Sequence, residues 1–425
     1  MNKHQPSVLI VAAKWWPLSA RLAAALVHHR CRVSALCPTG HPLTYVSGLI
    51  RHECYAGTGS LASLKRALRA GRPDIVVPCD DGVVAQLHTL HQQEPSLRDL
   101  IERSLGDPQS FRIVSSRYQL LATALELGIP VPETRKVASA EDLVSWHEKV
   151  AAAGALKIDG ESGGNGVRIS GSLEQSLAAW RELRAPQSLA TAWKRLAIDR
   201  DPLALWMRKS CAAREITVQR LVRGRPSNSM MACRNGEVAS LMSVMVLAAS
   251  GPTGAATIIQ RIQDERMAKA ARLLAKHLQL SGFFGLDFMT ETHTGIPYLI
   301  EMNPRCTQLG HLEFADQGSL AGAFVADLRG ELPPPPDHPV PLDTIALYPQ
   351  GLSALDATGS RYRESSYLDV PWTEPRLVNE LKLDPWPERR WAARLYHAIT
   401  PVVRPAPVEY QNETAGVVKI RLPAA

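Results

Sequence analysis

The stretch GFFGLDFMTETHTGIPYLIEMNPR, residues 282–305, places two alternating runs on either side of a short polar turn. In the first run Phe284, Leu286 and Phe288 point one way while Gly285 and Asp287 point the other, because side chains alternate along a strand. In the second, Ile300 and Met302 oppose Glu301 and Asn303. A hairpin centred on Thr294 makes paired residue numbers sum to 588, which sets Asp287 against Glu301 and Gly285 against Asn303. Two carboxylates and an amide oxygen then share one face beside a residue without a side chain. Such a donor set suits a hard cation that keeps open positions for phosphate and water, as Mg²⁺ does. Asn303-Pro304-Arg305 adds a cation next to these donors. The plainer reading is that both acids decorate a solvent-facing sheet whose apolar side is buried.

The segment ALKIDGESGGNGVRIS, residues 155–170, sets Gly160, Gly163, Gly164 and Gly166 between strands expected at Ala155–Ile158 and Val167–Ser170. A loop so rich in glycine turns sharply and brings backbone N–H groups within reach of an anion. Lys157 precedes it as a fixed cation, a combination suited to a triphosphate. A Walker A loop is excluded, since there the lysine follows the glycines. Taken by itself, the segment is also compatible with a glycine-rich hairpin carrying a surface lysine.

Working outward, Val8–Ala13, Val33–Cys37 and Ile75–Pro78 read as strands and Ser19–His29 and Ser60–Ala70 as helices, the β-α-β pattern of a parallel sheet. The strand ends carry no G-x-G-x-x-G, so a dinucleotide site has no support. Asp80 and Asp81 follow the third of these strands, where ligands bind in such sheets, and also suit a plain turn before Gly82. A second unit starts near Phe111 with a helix over Ser115–Leu127, capped by Ser115 and stopped by Gly128. Helices are expected at Leu173–Arg184 and Leu189–Lys209, with Trp180, Trp193 and Trp206 as packing anchors. Strands follow at Ile216–Val222, Ser229–Arg234 and Glu237–Val246, then a helix at Asp264–Leu278 and strands at Phe284–Thr290 and Tyr298–Asn303. From Leu332 the run LPPPPDHPVP cannot hold regular structure.

Composition narrows the classes. The chain has 425 residues, 45% hydrophobic and 21% charged, enough for two or three folded domains. Its formal charge of +7 is spread singly or in short groups rather than as an aromatic-interleaved basic run, so a nucleic-acid partner is not expected. Seven cysteines without a C-x-x-C pair read as reduced thiols, and Cys306 as a small core residue. No apolar run approaches the roughly 20 residues of a membrane span. A cytoplasmic protein without a membrane partner is the expectation.

In this order and spacing, Lys157, SGGNG at 162–166, VQRLVRG at 218–224, LDF at 286–288 and LIEMNPR at 299–305 resemble the ATP-grasp superfamily over roughly residues 1–350. The resemblance implies mixed α/β and α+β architecture: a Rossmann-like N-terminal domain (1–111), then a two-lobed ATP-grasp domain (112–350). Within the latter the lid covers about 134–222 and the catalytic lobe about 223–350, leaving 351–425 as an extension of unassigned role. It assigns Asp287, Glu301 and Asn303 to Mg²⁺, with Mn²⁺ as a substitute. ATP phosphates go to Arg117, Lys157, Gly160, Ser162, Gly163, Gly164 and Gly166, and the adenine to a hinge of Gln219, Arg220, Leu221 and Val222. Lys157 and Arg305 become catalytic. The chain departs from the family where Gln219 replaces a common Glu and where no ribose-binding acid follows the hinge, Ser227 and Asn228 being the polar residues there. The activity implied is ADP-forming ligation, in which ATP activates a small-molecule carboxylate as an acyl phosphate and an amine displaces phosphate. A biotin-dependent type of carboxylase acting on bicarbonate and a non-catalytic nucleotide-binding regulator remain as alternatives, and a homo-oligomer is compatible with either. His311 and Glu313 either face an acceptor pocket or sit on the solvated first turns of a helix starting near Gln308.

Overall fold

The computed structural model describes residues 5–150, 152–160, 166–185, 188–210, 214–356, 360–400 and 407–410. Its N-terminal part comprises β1 (Ser7–Val11), α1 (Pro17–His28), β2 (Arg32–Cys37), β3 (Arg51–Cys54), α2 (Ser60–Gly71), β4 (Ile75–Pro78), α3 (Asp81–Gln93) and α4 (Arg98–Leu105). The four strands form a parallel sheet in the order β3-β2-β1-β4. Both faces are covered, so the strands are apolar on both sides: Val8 and Ile10 pack toward α1, Leu9 and Val11 toward α2 and α3.

A short helix, α5 (Phe111–Ser115), leads into α6 (Arg117–Glu126). The cap expected at Ser115 falls one residue later. Ser116 leaves the helical region and its hydroxyl accepts from the Gln119 N–H at 3.3 Å, while Ser115 closes α5. Next comes a four-stranded antiparallel sheet ordered β5-β8-β6-β7, built from β5 (Thr134–Lys136), β6 (Gly154–Ile158), β7 (Val167–Ser170) and β8 (Ile216–Arg220). Helices α7 (Ala140–Lys149) and α8 (Leu173–Arg184) cover one of its faces around Trp146, which is fully buried.

The long helix expected over Leu189–Lys209 is two: α9 (Leu189–Ala197) and α10 (Ala204–Ser210). Pro202 lacks the N–H and fits poorly inside a helix, and Arg200 turns left-handed at φ 57° just before it. Leu203 and Met207 then enter the core of the N-terminal domain beside Val83 and Leu87, so this insertion ties the lid to that domain. Of the three tryptophans, Trp180 and Trp206 pack against cores, whereas Trp193 is 55% exposed and anchors nothing.

The largest sheet holds β9 (Gly224–Arg234), β10 (Glu237–Ala249), β11 (Ala256–Ile262), β12 (Gly282–Glu291), β13 (Pro297–Asn303), β16 (Thr344–Ala346) and β17 (Tyr367–Leu368), ordered β13-β12-β9-β10-β11-β16-β17, with β18 (Val408–Glu409) added on β10. A two-stranded ribbon, β14 (Glu313–Phe314) with β15 (Gly318–Ser319), lies off it. Helix α11 (Glu265–Leu278) and α6 cover one face, while α12 (Leu320–Arg329) and the N-terminal domain cover the other. Alternation on β9 shows the two-sided burial: Met231 and Cys233 face α11, Met230 and Ala232 face α12.

The final segment carries α13 (Gly351–Asp356), α14 (Pro375–Leu381), α15 (Trp386–Arg389) and α16 (Trp391–Ile399). It is woven into the body. Residues of β17 extend the main sheet in parallel with β16, and Leu377, Val378 and Leu381 belong to the core shared with α1. Among the described residues no helix is long and apolar enough to cross a membrane.

Candidate active site

The lid sheet carries Lys157 on β6, the lobe sheet carries Asp287 on β12 and Glu301 and Asn303 on β13, Arg117 opens α6, and Arg305 follows β13. On the β12–β13 hairpin Gly285 pairs with Asn303 and Asp287 with Glu301, and the register then shifts between Asp287 and Phe288. Ile300 is the residue left without a partner. The bulge turns Leu299, rather than Ile300, into the core with Met302, Phe284, Leu286 and Phe288. The space beside Gly285 is not open, contrary to the sequence expectation. A Cβ there would collide with the Thr307 side chain, so glycine serves the close approach of the loop after Arg305.

Asp287 accepts from Asn303 Nδ2 at 3.0 Å and from Asn228 Nδ2 at 2.5 Å. Burial, then the neighbouring Glu301, push its carboxyl up to about 6 against these two amides. Asn228 owes its place to the β9–β12 register, which sets it directly opposite Asp287. Its side chain is therefore engaged by an acid rather than held out for a ribose, and the Ser227 hydroxyl lies 2.8 Å from that of Thr290. Glu301 takes a 2.7 Å bond from Arg117 Nη2, whose Nη1 reaches Asp159 at 2.9 Å. Arg117 is 8% exposed; burial works against its charge, but Glu301 and Asp159 outweigh it and raise its pKa.

Lys157 comes from the lid strand β6 and is 6% exposed. Its Nζ donates to Gln219 Oε1 at 2.8 Å, and burial followed by Arg117 lowers its pKa to about 8 in spite of Glu301 and Asp287. Gln219 Nε2 in turn donates to Thr134 Oγ1 at 3.2 Å. That side chain, expected at the adenine hinge, is thus occupied in positioning the lysine. Arg220, Leu221 and Val222 carry the chain from lid to lobe: the Arg220 N–H donates to Glu133 O, that of Leu221 to Ala153 O, each at 2.9 Å, and Val222 is buried. At the start of the glycine-rich loop Gly160 adopts φ 79°, and Gly166 O accepts from the Ile158 N–H at 3.0 Å. Ser162, Gly163 and Gly164 lie outside the described residues.

Arg305 is held by groups whose part the sequence alone leaves open. Its Nε donates to Asp81 Oδ1 at 3.0 Å and its Nη2 to Asn303 Oδ1 at 3.1 Å. Burial opposes its charge, yet Asp81, Asp80 and Asp287 together raise its pKa. Asp81 opens α3, so this pair joins the N-terminal domain to the lobe. Asp80 instead accepts from the Ala13 N–H at 2.5 Å, and burial pushes its carboxyl up to about 6. Cys306 is buried, which raises its thiol to about 12 and leaves no thiolate for nucleophilic work. No helix begins near Gln308. Glu313 starts β14 and accepts from the N–H groups of Asp337 and His338, while His311 is buried.

Asp287, Glu301 and Asn303 therefore sit together on the hairpin, with Arg117 of α6 bonded to Glu301, Arg305 bonded to Asn303, and Lys157 of the lid sheet near enough to sense Asp287 and Glu301. As oxygen donors the three suit a divalent cation, provided the Asn303 amide turns its oxygen from Arg305 toward Asp287 and Glu301 yields to the cation one of the contacts it now makes with Arg117. Among the described residues no group of three His, Cys, Asp or Glu offers a rival metal site.

Residues 204–308, which include β8 through the Arg305 loop, match a family model described as an ATP-grasp domain. That stretch carries the match to an ATP-grasp domain. Solved structures with the same fold include an ADP complex of N5-carboxyaminoimidazole ribonucleotide synthetase, at 16% identity and TM-score 0.54, covering 78% of this chain and 79% of that one. The Staphylococcus aureus N5-carboxyaminoimidazole synthetase with ADP gives 14% identity and TM-score 0.55, over 79% and 81% of the two chains. A biotin carboxylase domain of the Hydrogenobacter thermophilus 2-oxoglutarate carboxylase, crystallised with MgADP, ADP and bicarbonate, gives 13% and 0.55 over 77% and 71%. No curated protein sequence matches the chain. These likenesses establish the ATP-grasp fold, and with it the Rossmann-like first domain and the lid and lobe sheets.

Proposed function

We propose that this protein with the ATP-grasp fold is an ADP-forming ligase that activates a small-molecule carboxylate with MgATP and joins it to an amine. The observation that carries the reading is the convergence of Lys157 from the lid sheet and Arg117 from α6 on the hairpin that bears Asp287, Glu301 and Asn303. Phosphoryl transfer asks a protein for positioning and charge stabilisation more than for covalent chemistry, and this set supplies both. Bound at Asp287, Glu301 and Asn303, Mg²⁺ would draw charge from the γ-phosphate.

Lys157, kept in place by Gln219, reaches the phosphate oxygens from the lid. Arg117 is paired with Glu301 and Asp159; were Glu301 shared with a metal, the guanidinium would have an edge to offer the γ-phosphate. Arg305, oriented by Asp81 and Asn303, receives the substrate carboxylate and keeps it in line with that phosphorus. A carboxylate oxygen attacks, ADP leaves, and the resulting acyl phosphate loses phosphate to the amine.

Incubation with ATP, Mg²⁺, hydroxylamine and a panel of carboxylic acids is expected to yield a hydroxamate and ADP. Bicarbonate, present in one structural neighbour, belongs in that panel as the carboxylase alternative. Formation of AMP and pyrophosphate instead contradicts the acyl phosphate route.

The raised carboxyl of Asp287 gives a pH signature. A cation needs the ionised acid, so proton and metal compete there. With a folded value of about 6, Mg²⁺ affinity should be flat above about pH 7 and fall close to tenfold per unit below about pH 6. Titration of Mg²⁺ into the protein with ADP measures it; an affinity unchanged from pH 5 to 8 removes Asp287 from the ligand set.

A further inference from the structure

The loop that follows Arg305 carries two buried polar atoms that no step above uses. His311 donates Nε2–H to Asp369 Oδ2 at 2.6 Å, and the two side chains are 4% and 7% exposed. Asp369 is clamped in turn by Arg21, through Oδ1 and through its backbone oxygen, each at 2.7 Å. Despite burial, Arg21 and His311 hold the Asp369 carboxyl down at about 2, so it is ionised and can only accept hydrogen bonds. That fixes the tautomer: the proton of the neutral ring is on Nε2, and Nδ1 carries the lone pair. Burial, then Arg21, keep the ring below its usual pKa against the pull of Asp369, so it is neutral near pH 7. Among the described residues nothing hydrogen-bonds to His311 Nδ1, nor to the buried Gln308 Oε1 three residues earlier on the same loop. These two unmet acceptors lie three and six residues beyond Arg305, on a loop that folds back so that a Cβ at Gly310 would meet Cys306 Sγ, and they call for a ligand that brings N–H groups.

We propose that His311 Nδ1 is the proton acceptor for the amine substrate, with Gln308 Oε1 receiving a second N–H and with Asp369, held by Arg21, fixing the ring. This rests on the ligase reading and assigns its second half-reaction. The amine nitrogen forms a bond to the acyl carbon while one of its protons passes to Nδ1. The C–O bond to phosphate then breaks with its electron pair on oxygen, and the imidazolium returns the proton to that oxygen. Products are the amide and HPO₄²⁻, and the ring is neutral again. Asp369 belongs to the C-terminal segment and Arg21 to α1, so the segment beyond residue 350 acquires a role as the positioning element of this histidine. The other titratable group at the network is Tyr367, which senses both Asp369 and Arg21.

The test separates the two half-reactions with a panel of the standard amino acids as carboxylates, using hydroxylamine as trap and ammonium chloride as amine. Hydroxylamine needs little help from a base, so His311→Asn should lower hydroxamate formation less than about threefold while amide formation falls about 10²-fold or more. Asp369→Asn keeps an acceptor but removes the charge that favours the imidazolium. Its acid limb in the pH profile for ammonium should move to lower pH, a shift that a purely structural role would not produce. Amide formation within threefold of wild type in His311→Asn overturns the proposal alone. Equal loss of both products in a variant that melts like wild type also overturns it, since the histidine would then serve the first step. Wild-type protein that yields no hydroxamate with the amino acids, nor with the wider panel of carboxylic acids and bicarbonate, overturns the ligase reading and this proposal together.

Discussion

Glu301→Gln is expected to lower the turnover of ATP by about 10³-fold while leaving the melting temperature nearly unchanged, because metal-borne charge stabilisation is worth several kcal/mol and each 1.4 kcal/mol is tenfold in rate. Gln keeps an oxygen that can still accept from Arg117 Nη2, so the 2.7 Å contact that braces α6 against β13 is conserved in kind. What is lost is one of two negative charges on the cation-facing side of the hairpin. The same change relieves the repulsion that helps push Asp287 up to about 6, so Asp287 should titrate lower in the variant. Steady-state ADP release and a thermal melt check both parts. Turnover within twofold of wild type contradicts the metal assignment.

Arg305→Ala should cost about 10²- to 10³-fold in kcat/KM for the carboxylate, the range seen when one preorganised donor is removed from a developing charge. Binding of ADP should change little, since the bonds of Arg305 run to Asp81 of the N-terminal domain and to Asn303 rather than to the lid strands. Arg305→Lys should recover only part of the loss. The guanidinium meets Asp81 through Nε and Asn303 through Nη2 at once, and a single ammonium cannot span both while also facing the substrate. Equal losses in ADP affinity and in carboxylate use would place the arginine with the nucleotide and contradict its assignment to the carboxylate.

The hairpin that decides the fold was legible because strand alternation and a short turn fix its register, and the pairs Asp287–Glu301 and Gly285–Asn303 follow from local sequence alone. The bulge at Ile300 was not, since an extra residue is set by packing of Leu299 under α6 and α11 and leaves the alternation looking regular. Asn228 lay beyond reach for a related reason. Its contact with Asp287, 59 positions away in the chain, depends on how β9 pairs with β12. Asp81 could be noted as an acid at a strand end, but its partner Arg305 comes from another domain. The same holds for Asp369, which finds Arg21 and His311 only once the C-terminal segment has joined the sheet edge. Local signals also missed the break at Pro202 and the strand Ala256–Ile262, whose apolar run is short and follows a turn. Sequence thus carried the strands that bear the chemistry and the residues of one hairpin. Contacts between distant segments, which orient Lys157, Arg117 and Arg305, required the fold.

The central claim is that a carboxylate oxygen attacks the γ-phosphorus of ATP in the gap between the two sheets. Its most direct test uses the acid that gives a hydroxamate, labelled with ¹⁸O in the carboxylate, followed by mass analysis of the released phosphate. Transfer of one ¹⁸O from carboxylate to inorganic phosphate, with ADP unlabelled, is the predicted result; phosphate free of label, or label appearing in AMP, would contradict it.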